Sequence, residues 1–566
     1  MKPPPALLLR LCAGFSFTLA SSLFLHATTY TWTGEGDDTR WNNVENWDAN
    51  GVAQSGTETG IILAKSGSYT VTQNSGAGMS FNRLVISSES GVVTIAGTNS
   101  FSTNAPTADG FAELQLNNTN TSSWSNQLTL NRTLHFTGTG TGQMTLNGVV
   151  QGTQGIVVDA AGVLALTKTN TFQGGLTVKR GTVTLTTAAA AGTGAITMEG
   201  GTLRNSTSSG VAMTELNQAL NISGNFTLGY NGTQRGFTFT KAVTLTGTDA
   251  LRGINLIAQN KATDLLILNG AIGDDGGNNG LKFSSTGTVR FGGAASNTYT
   301  GQTLLWGQNV NLVLQKTDGA TAIARDLYIG HGTVTIETGT QRVGGKFYST
   351  DYATSDLQIN SGATLAVAGE TGLATRSLTT DSTGAAGTLL LESSATLHVS
   401  DYWTDQENGF SAGQRIAAAA ALTWVGSLTL DGGATLNFDL TADPSASDGI
   451  ILTGDASVIT FSDTTGLAPV IINLNALDGA ALASGTTYTL LSVTGGFVNL
   501  DEQNLAERLT LNANGLEGTF ALTANALTFT VTSAIPEPST WVWITGAFSL
   551  LITVGLRKHL RDLHIN

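Results

Sequence analysis

Two stretches of the sequence repeat each other and decide the fold. Residues 146–185 read LNGVVQGTQGIVVDAAGVLALTKTNTFQGGLTVKRGTVTL, and residues 268–312 read LNGAIGDDGGNNGLKFSSTGTVRFGGAASNTYTGQTLLWGQNVNL. Both open on Leu-Asn-Gly, cross a Gly-rich turn, reach Asn-Thr followed by an aromatic residue, and close on a polar–apolar alternation. The alternation is typical of half-buried strands, and the Gly and Asn-Thr clusters are typical of sharp corners.

The two blocks predict an all-β protein. No helical pattern separates the strands, which argues against a doubly wound α/β fold. A single block buries too little apolar surface to fold alone, so the blocks must stack. Strand, corner and strand at short spacing favour a right-handed parallel β-helix, or solenoid, with terminal caps; an array of β-sandwiches is the alternative.

A weaker pattern extends the repeat. Gly332, Gly362, Gly387 and Gly433 each open a candidate strand, and the last interval is long enough for two coils. Residues 401–421 interrupt the rhythm, and we expect a short helix or an inserted loop there.

The repeated blocks resemble the autotransporter-associated β-strand repeat, whose consensus contains Asn-Thr-Tyr-Thr-Gly-Gly-Thr. The second block departs from it at Gln302, and the first at Phe172 and Gln173. The resemblance implies a solenoid body. We divide this body into an N-terminal β cap with the first coils (28–145), the solenoid repeats (146–431) and a C-terminal β capping module (432–533), where the candidate strands lengthen.

Both ends of the chain look like targeting segments. Residues 1–27 contain Lys2 and Arg10, an apolar stretch and Ala27 at a plausible cleavage point, which predicts a secretory signal peptide. Near the other end, residues 541–556 carry no charge, which predicts one transmembrane helix, and a basic cluster follows. Because such clusters stay in the cytoplasm, the body is expected outside the inner membrane. The flanking residues of this helix are Pro536, Glu537 and Pro538 before it and Arg557, Lys558 and Arg561 after it.

Residues 534–566 resemble the PEP-CTERM sorting signal of Gram-negative bacteria, in which Pro-Glu-Pro, a hydrophobic helix and a basic tail occur in this order. The resemblance implies an exosortase-like membrane enzyme as partner, which recognises the tripeptide and processes the anchor. It also implies that the protein is held in the inner membrane and then reaches the cell surface or extracellular matrix, with exopolysaccharide as an expected partner there.

Composition excludes several functions. The net charge of −14 gives no basic surface for nucleic acid, so we expect no nucleic-acid partner. Cys12, the one cysteine, lies in the export segment, so a processed protein has no thiol for a disulfide, a zinc site or a nucleophile. We predict no cofactor and no metal site: His135, His331 and His398 are interpreted as strand residues, and the oxygen-rich segment 274–280 as a turn.

Function is predicted only as a class. The leading hypothesis is a structural or adhesion protein without enzymatic activity. A secreted polysaccharide-degrading enzyme is the alternative, with Asp351, Asp356, Asp401 and Asp405 as its candidate carboxylates. A carbohydrate-binding surface protein is the third hypothesis. It would use Trp32, Trp41 and Trp47, which could stack on sugar rings or, alternatively, plug the N-terminal end of the solenoid.

Overall fold

The structure, a computed structural model, describes residues 28–533 apart from 206–213, 230–235, 249, 318, 350–354, 361, 374–377, 380–386, 404–414, 463–467 and 513–514. The signal peptide and the sorting signal predicted at residues 1–27 and 534–566, including the helix at 541–556, lie outside the described residues. Within the described part, no helix is both long enough and apolar enough to cross a membrane.

Strands are the main regular elements of the described chain. β1 to β17 are, in order, Thr29–Trp32, Gly60–Leu63, Gly67–Gln73, Met79–Phe81, Arg83–Ile86, Ser90–Gly97, Phe101–Thr103, Ala112–Leu116, Thr121–Trp124, Leu128–Leu130, Leu134–Gly138, Gln143–Leu146, Val150–Gly152, Ile156–Leu166, Leu176–Leu185, Ile196–Met198 and Thr202–Asn205. β18 to β34 are Thr214–Leu216, Leu220–Ile222, Phe226–Gly229, Phe237–Phe239, Val243–Leu245, Leu251–Ile257, Asp264–Leu268, Ile272–Asp274, Gly280–Phe291, Thr303–Leu314, Thr321–Ile323, Leu327–Ile336, Thr340–Val343, Phe347–Ser349, Ser355–Ile359, Thr364–Val367 and Glu370–Leu373.

The remaining strands and the few helical turns follow the same order. β35 to β50 are Leu378–Thr379, Thr388–Leu391, Thr396–Val399, Tyr402–Trp403, Arg415–Ile416, Ala421–Val425, Ser427–Leu430, Thr435–Leu440, Gly449–Thr453, Ile459–Phe461, Val470–Ala476, Thr487–Val493, Phe497–Val498, Leu509–Asn512, Glu517–Leu522 and Ala526–Ser533. A short α-helix, α1, covers Leu505–Arg508, and 3-10 turns cover Val44–Asn46, Ala188–Ala191, Pro444–Ala446 and Leu477–Gly479.

Neighbouring strands pair in parallel across successive coils, as in a β-solenoid. Ile156 on β14 lies opposite Leu176 on β15, and Leu176 lies opposite Ile196 on β16. Side chains alternate along each strand, so one set points inward and stacks on the coils above and below. Ile156, Leu176 and Ile196 are all buried in one apolar core that runs from Tyr30 to Val531. The all-β, parallel-sheet prediction is confirmed.

The repeated Asn-Thr-aromatic motif has a specific role in this stack. Asn170 Oδ1 accepts a hydrogen bond from the Val150 amide at 2.8 Å, and its Nδ2 donates to the Ala190 carbonyl at 2.7 Å. Asn297 repeats both bonds, from the Ile272 amide at 2.9 Å and to the Ala322 carbonyl at 2.6 Å. Each buried amide therefore joins three coils at a corner.

The N-terminal end is closed by aromatic side chains. Trp32, Trp41 and Trp47 are all at least 95 % buried, and the ring centroid of Trp47 lies 5.1 Å from that of Trp32 and 4.8 Å from that of Trp41. Trp47 Nε1 also donates to the Trp41 carbonyl at 2.6 Å. The rings cover the first coil, as the alternative interpretation of a plug expected.

Parallel pairing continues beyond residue 432 toward the C-terminal end. β42, β45 and β48 continue the parallel ladder, with Leu436 opposite Ile472 and Ile472 opposite Leu511. β50, in contrast, runs antiparallel to both of its neighbours, β46 and β49. β50 thus belongs to a mixed sheet of strand order β40-β43-β46-β50-β49, which is parallel from β40 to β46 and antiparallel from β46 to β49.

The interruption at residues 401–421 is an insertion within a single coil. β36 pairs directly with β41, and β37 with β42, so the interval between Gly387 and Gly433 does not hold the two coils that its length allowed. In the described part of the insertion, β38 and β39 pair antiparallel, with Tyr402 opposite Ile416. The two described ends of the insertion therefore pair with each other beside the ladder, which fits the inserted loop, one of the two alternatives expected for this segment.

Candidate functional site

The tryptophans proposed for glycan contact do not form an open site. Trp32, Trp41 and Trp47 are 1 %, 0 % and 5 % exposed, because each ring packs against another aromatic ring. Stacking on a sugar requires an accessible ring face, and these rings have none. The hypothesis of glycan contact through these three side chains is therefore wrong.

The predicted sorting signal lies outside the described residues. Its proposed functional residues are Pro536, Glu537, Pro538, Arg557, Lys558 and Arg561.

The three histidines lie on strands, as predicted, and have different surroundings. His135 on β11 stacks on Phe111 with ring centroids 4.0 Å apart, and His331 on β29 meets Trp306 edge to face at 5.4 Å. His398 on β37 lies instead among ionisable groups.

The oxygen-rich segment 274–280 is a turn between β25 and β26, as predicted. The carboxylate of Asp274 accepts hydrogen bonds from the Thr300 and Asn279 amides at 2.8 and 3.2 Å. Asp275 accepts from Asn279 Nδ2 at 2.8 Å. Both carboxylates thus accept hydrogen bonds that stabilise the turn. In the part of the chain that the structure describes, no group of three or more His, Cys, Asp or Glu side chains is arranged to hold a metal ion.

Polar side chains on the last coils stand in register on the outside of the solenoid. Parallel pairing places His398 opposite Asn437, Asn437 opposite Asn473, and Asn473 opposite Asn512. Asn473 Nδ2 donates to Asn437 Oδ1 at 2.6 Å, and Asn437 Nδ2 lies 3.0 Å from His398 Nδ1. Because coils are spaced by about 4.8 Å, facing amides can hydrogen-bond along the column.

This column forms one wall of a cleft that we call the Asn-ladder cleft. Asp439 and Asn475 form a parallel column two residues further along the same strands, and Asn475 Nδ2 donates to Asp439 Oδ1 at 3.3 Å. Asp401 and Arg415, at the base of the inserted hairpin, close the side. The cleft has a volume of about 340 Å³ and is lined by His398, Asp401, Arg415, Asn437, Asp439, Asn473, Asn475 and Asn512.

Ion pairs hold the cleft together at its His398 end. His398 Nε2 lies 2.6 Å from Glu370 Oε1, and His398 Nδ1 lies 3.4 Å from Asp401 Oδ2. The Arg415 guanidinium also contacts the His398 ring and lies 3.4 Å from Asp401 Oδ2. The hydrogen bond from His398 is the main cause that lowers the pKa of Glu370 to about 2. Burial alone would lower the pKa of His398, but the bonds to Asp401 and Glu370 outweigh burial and raise it.

Two further carboxyl groups lie near the floor of the cleft. Burial, followed by the negative charge of Asp401, raises the pKa of Asp439 to about 6. Asp448 is buried behind the cleft, where its carboxylate accepts hydrogen bonds from the Asp439 amide at 2.7 Å and the Ala420 amide at 3.0 Å. Asp448 therefore fastens the hairpin to the strand that carries Asp439, and burial raises its pKa to about 8.

Sequence reasoning found only part of this site. Asp401 was a candidate carboxylate and lines the cleft, whereas Asp356 lies on β32 and accepts from Thr333 at 3.4 Å. Asp351 and Asp405 lie outside the described residues. The missed signal is a shared pattern in three strands, in which a polar asparagine follows an aliphatic residue: Leu436-Asn437, Ile472-Asn473 and Leu511-Asn512.

A second, shallower groove runs over the middle coils. It has a volume of about 780 Å³, and its floor is a column of small polar residues in register on successive strands, from Thr182 and Thr202 through Thr227 and Asn255 to Ser284. Lys282 is the one charged side chain among its described lining residues, and its Nζ lies 5.6 Å from the ring centroid of Trp306.

A scan against models of known protein families finds no match to this chain, and a search of curated proteins finds none either.

Proposed function

We propose that this protein is an exported structural or adhesion component of the cell surface or extracellular matrix, built as a right-handed parallel β-solenoid. Its role is to present a long, rigid polar surface, and it carries no catalytic activity. An exosortase-like membrane enzyme processes it after the C-terminal helix has held it in the inner membrane. Exopolysaccharide is its proposed neighbour, and nucleic acid is not.

One structural observation carries the mechanical part of this proposal. A single apolar core continues from Tyr30 to Val531, and parallel strand pairs follow one another along it. Every added coil buries its inward side chains against its neighbours, so the body can gain length while each coil keeps the same kind of packing. A long body of this kind suits a structural or adhesion protein, which must extend from its attachment point and expose a large surface for contacts.

The sequence supports the proposed location. The predicted signal peptide at 1–27 and the Pro536-Glu537-Pro538, apolar and basic segments at the other end give the same topology, with the body outside the inner membrane. The net charge of −14 favours solubility at the surface and disfavours polyanionic nucleic acid.

The location is tested by changing Pro536, Glu537 and Pro538 together to alanine in the host. We expect the intact protein to shift from the surface or matrix fraction to the inner-membrane fraction and to keep the mass of its unprocessed tail. As a control, Pro444 is changed to alanine, and we expect normal fractionation. Unchanged fractionation and unchanged mass of the triple variant would refute the sorting mechanism.

A polysaccharide-degrading enzyme is the second candidate, favoured by one observation. Asp401 and Asp439 line the same cleft, and the raised pKa of Asp439, about 6, suits a general acid. Against this, Asp401 is already bound: its Oδ1 accepts from the Ala418 amide at 3.1 Å, and its Oδ2 faces His398 and Arg415. We therefore expect no release of reducing ends from neutral or acidic polysaccharides; release that Asp439→Asn abolishes would establish the enzyme instead.

A further inference from the structure

The walls of the Asn-ladder cleft carry mixed hydrogen-bonding groups in a regular array. Asn437, Asn473 and Asn512 occupy successive coils, about 4.8 Å apart, and each side-chain amide offers both an acceptor oxygen and two donor hydrogens. A hydroxyl group is likewise both donor and acceptor. The chemistry of the wall therefore matches a ligand that presents hydroxyl groups at regular intervals.

The ladder is not saturated by its own hydrogen bonds. Asn473 donates to Asn437, but Asn473 Oδ1 is shielded from solvent and has no hydrogen-bond donor within the described structure. A buried acceptor without a donor costs free energy, which a rotation of the amide toward a bound hydroxyl would recover. Asn512, at the end of the column, is exposed to solvent and marks the open end of the cleft.

The charges of the cleft select among hydroxylated ligands. The cationic groups, His398 and Arg415, are already paired with Glu370 and Asp401, and Asp439 adds a carboxylate that accepts a hydrogen bond from the neutral Asn475. Among the described lining residues, each cationic group thus faces a carboxylate, and a uronate, sulfate or phosphate group would approach Asp439 unfavourably.

The size of the cleft also fits this chemistry. Small-molecule sites in proteins range from about 300 to 1,000 Å³, and the cleft, at about 340 Å³, lies at the lower end. This volume suits a short stretch of a glycan, with the rest of the chain passing over Asn512 into solvent.

From these observations we propose that the Asn-ladder cleft binds a neutral saccharide, through hydroxyl groups that bridge the asparagine amides of successive coils. The proposal goes beyond the surface role above, because it holds wherever the protein is located and requires no catalysis.

The test measures binding of the purified full-length protein to an array of neutral and uronic-acid glycans, followed by titration calorimetry with the best neutral ligand. We expect neutral glycans to bind and hexuronate oligomers to bind at least about tenfold more weakly. A chelator should leave the affinity unchanged, since hydroxyl recognition needs no metal ion. Absence of any neutral ligand, equal or tighter hexuronate binding, or loss of binding with the chelator would each overturn the proposal.

Two variants locate the site. Asn437→Ala removes the amide between His398 and Asn473 and should weaken binding about tenfold, the effect of losing one or two hydrogen bonds. Asn512→Ala changes an exposed side chain, so this variant should fold normally and still weaken binding severalfold. If Asn437→Ala is unstable, the Asn512→Ala variant alone decides whether the cleft is the binding site. The matched control is Asn221→Ala on β19, a half-buried strand asparagine that donates to Thr197 Oγ1 at 3.4 Å. An equal loss of affinity in the control, or no loss in Asn512→Ala, would contradict the assignment.

Discussion

The His398 ring lies 2.6 Å from the Glu370 carboxylate, although the two residues belong to neighbouring coils. This contact joins the strand that precedes the inserted hairpin to the coil before it, and it is largely shielded, with side-chain exposures of 9 % and 27 %. It helps to fix the position of His398, which lines the Asn-ladder cleft.

This pair should give the protein a stability maximum in weak acid. The pKa of Glu370 is lowered to about 2, so its contribution is present above about pH 4.5 and is lost as the pH falls toward 2. The pKa of His398 is raised, so its contribution is present below about pH 6.5 and is lost as the pH rises through the folded-state value. We expect Glu370→Gln to lower the free energy of unfolding by about 1.5–3 kcal/mol between these limits and by less at alkaline pH.

Urea unfolding at several pH values checks this. Glu199→Gln provides the control, because Glu199 pairs with Lys179 at 3.6 Å on the surface and should contribute less than about 0.5 kcal/mol. A loss for Glu370→Gln that does not change with pH would show that the carboxylate acts by packing alone.

The tryptophan plug should be essential for stability. Trp41 is fully buried between Trp47 and Phe101, so Trp41→Ala leaves a cavity at the end of the core and should cost about 3–5 kcal/mol. Val44→Ala lies on the adjacent 3-10 turn at a position that is 59 % exposed, and it should cost less than about 0.5 kcal/mol. Calorimetric melting of both variants makes the comparison; similar melting temperatures would mean that the plug is dispensable.

The corner asparagines should behave as a matched pair. Asn297→Ala leaves the Ile272 amide and the Ala322 carbonyl without their partners, and we expect a loss of about 2–4 kcal/mol. Asn170→Ala should cost the same amount, because its bonds to Val150 and Ala190 are equivalent. Asn311→Ala, which removes one acceptor for Thr335 Oγ1 on the outer face, should cost less than about 1 kcal/mol by urea unfolding. Very different losses for Asn297 and Asn170 would refute the equivalence.

The Leu-Asn-Gly opening of each repeated block should require its glycine. A Cβ on Gly270 would lie 2.0 Å from the Lys241 carbonyl oxygen, and one on Gly148 would lie 1.9 Å from that of Asn126. Either Gly→Ala change must push two coils apart and should cost about 1–3 kcal/mol. Gly273→Ala meets only Thr298 Oγ1 at 3.3 Å, so it should be nearly neutral in the same melting experiment.

These particular residues also show why the fold was predictable and the cleft was not. Strand alternation and the Asn and Gly signatures are local, and Asn170 and Asn297 recur because every corner imposes the same requirement. The cleft depends instead on register between coils of unequal length. The column aligns four residues, His398, Asn437, Asn473 and Asn512, which are separated by the insertion and by loops of unequal length. Their spacing in the sequence is therefore irregular and does not reveal the column.

For the same reason, the N-terminal end of the solenoid was easier to predict from the sequence than the C-terminal end. The aromatic cluster near residue 40 is dense enough to suggest a plug from sequence alone. β50 pairs with β49, its neighbour in sequence, but also with the more distant β46, and strand length alone does not predict this second pairing.

The antiparallel pairing of β50 has a mechanical consequence. Residue 533 ends β50, so any load applied through the residues that follow is transmitted along this strand, which is hydrogen-bonded on both sides to β46 and β49. Tension parallel to a strand loads its cross-strand hydrogen bonds in shear, all at once, instead of opening them one after another. β50, the last described strand, is therefore placed to resist such tension before it reaches the coils.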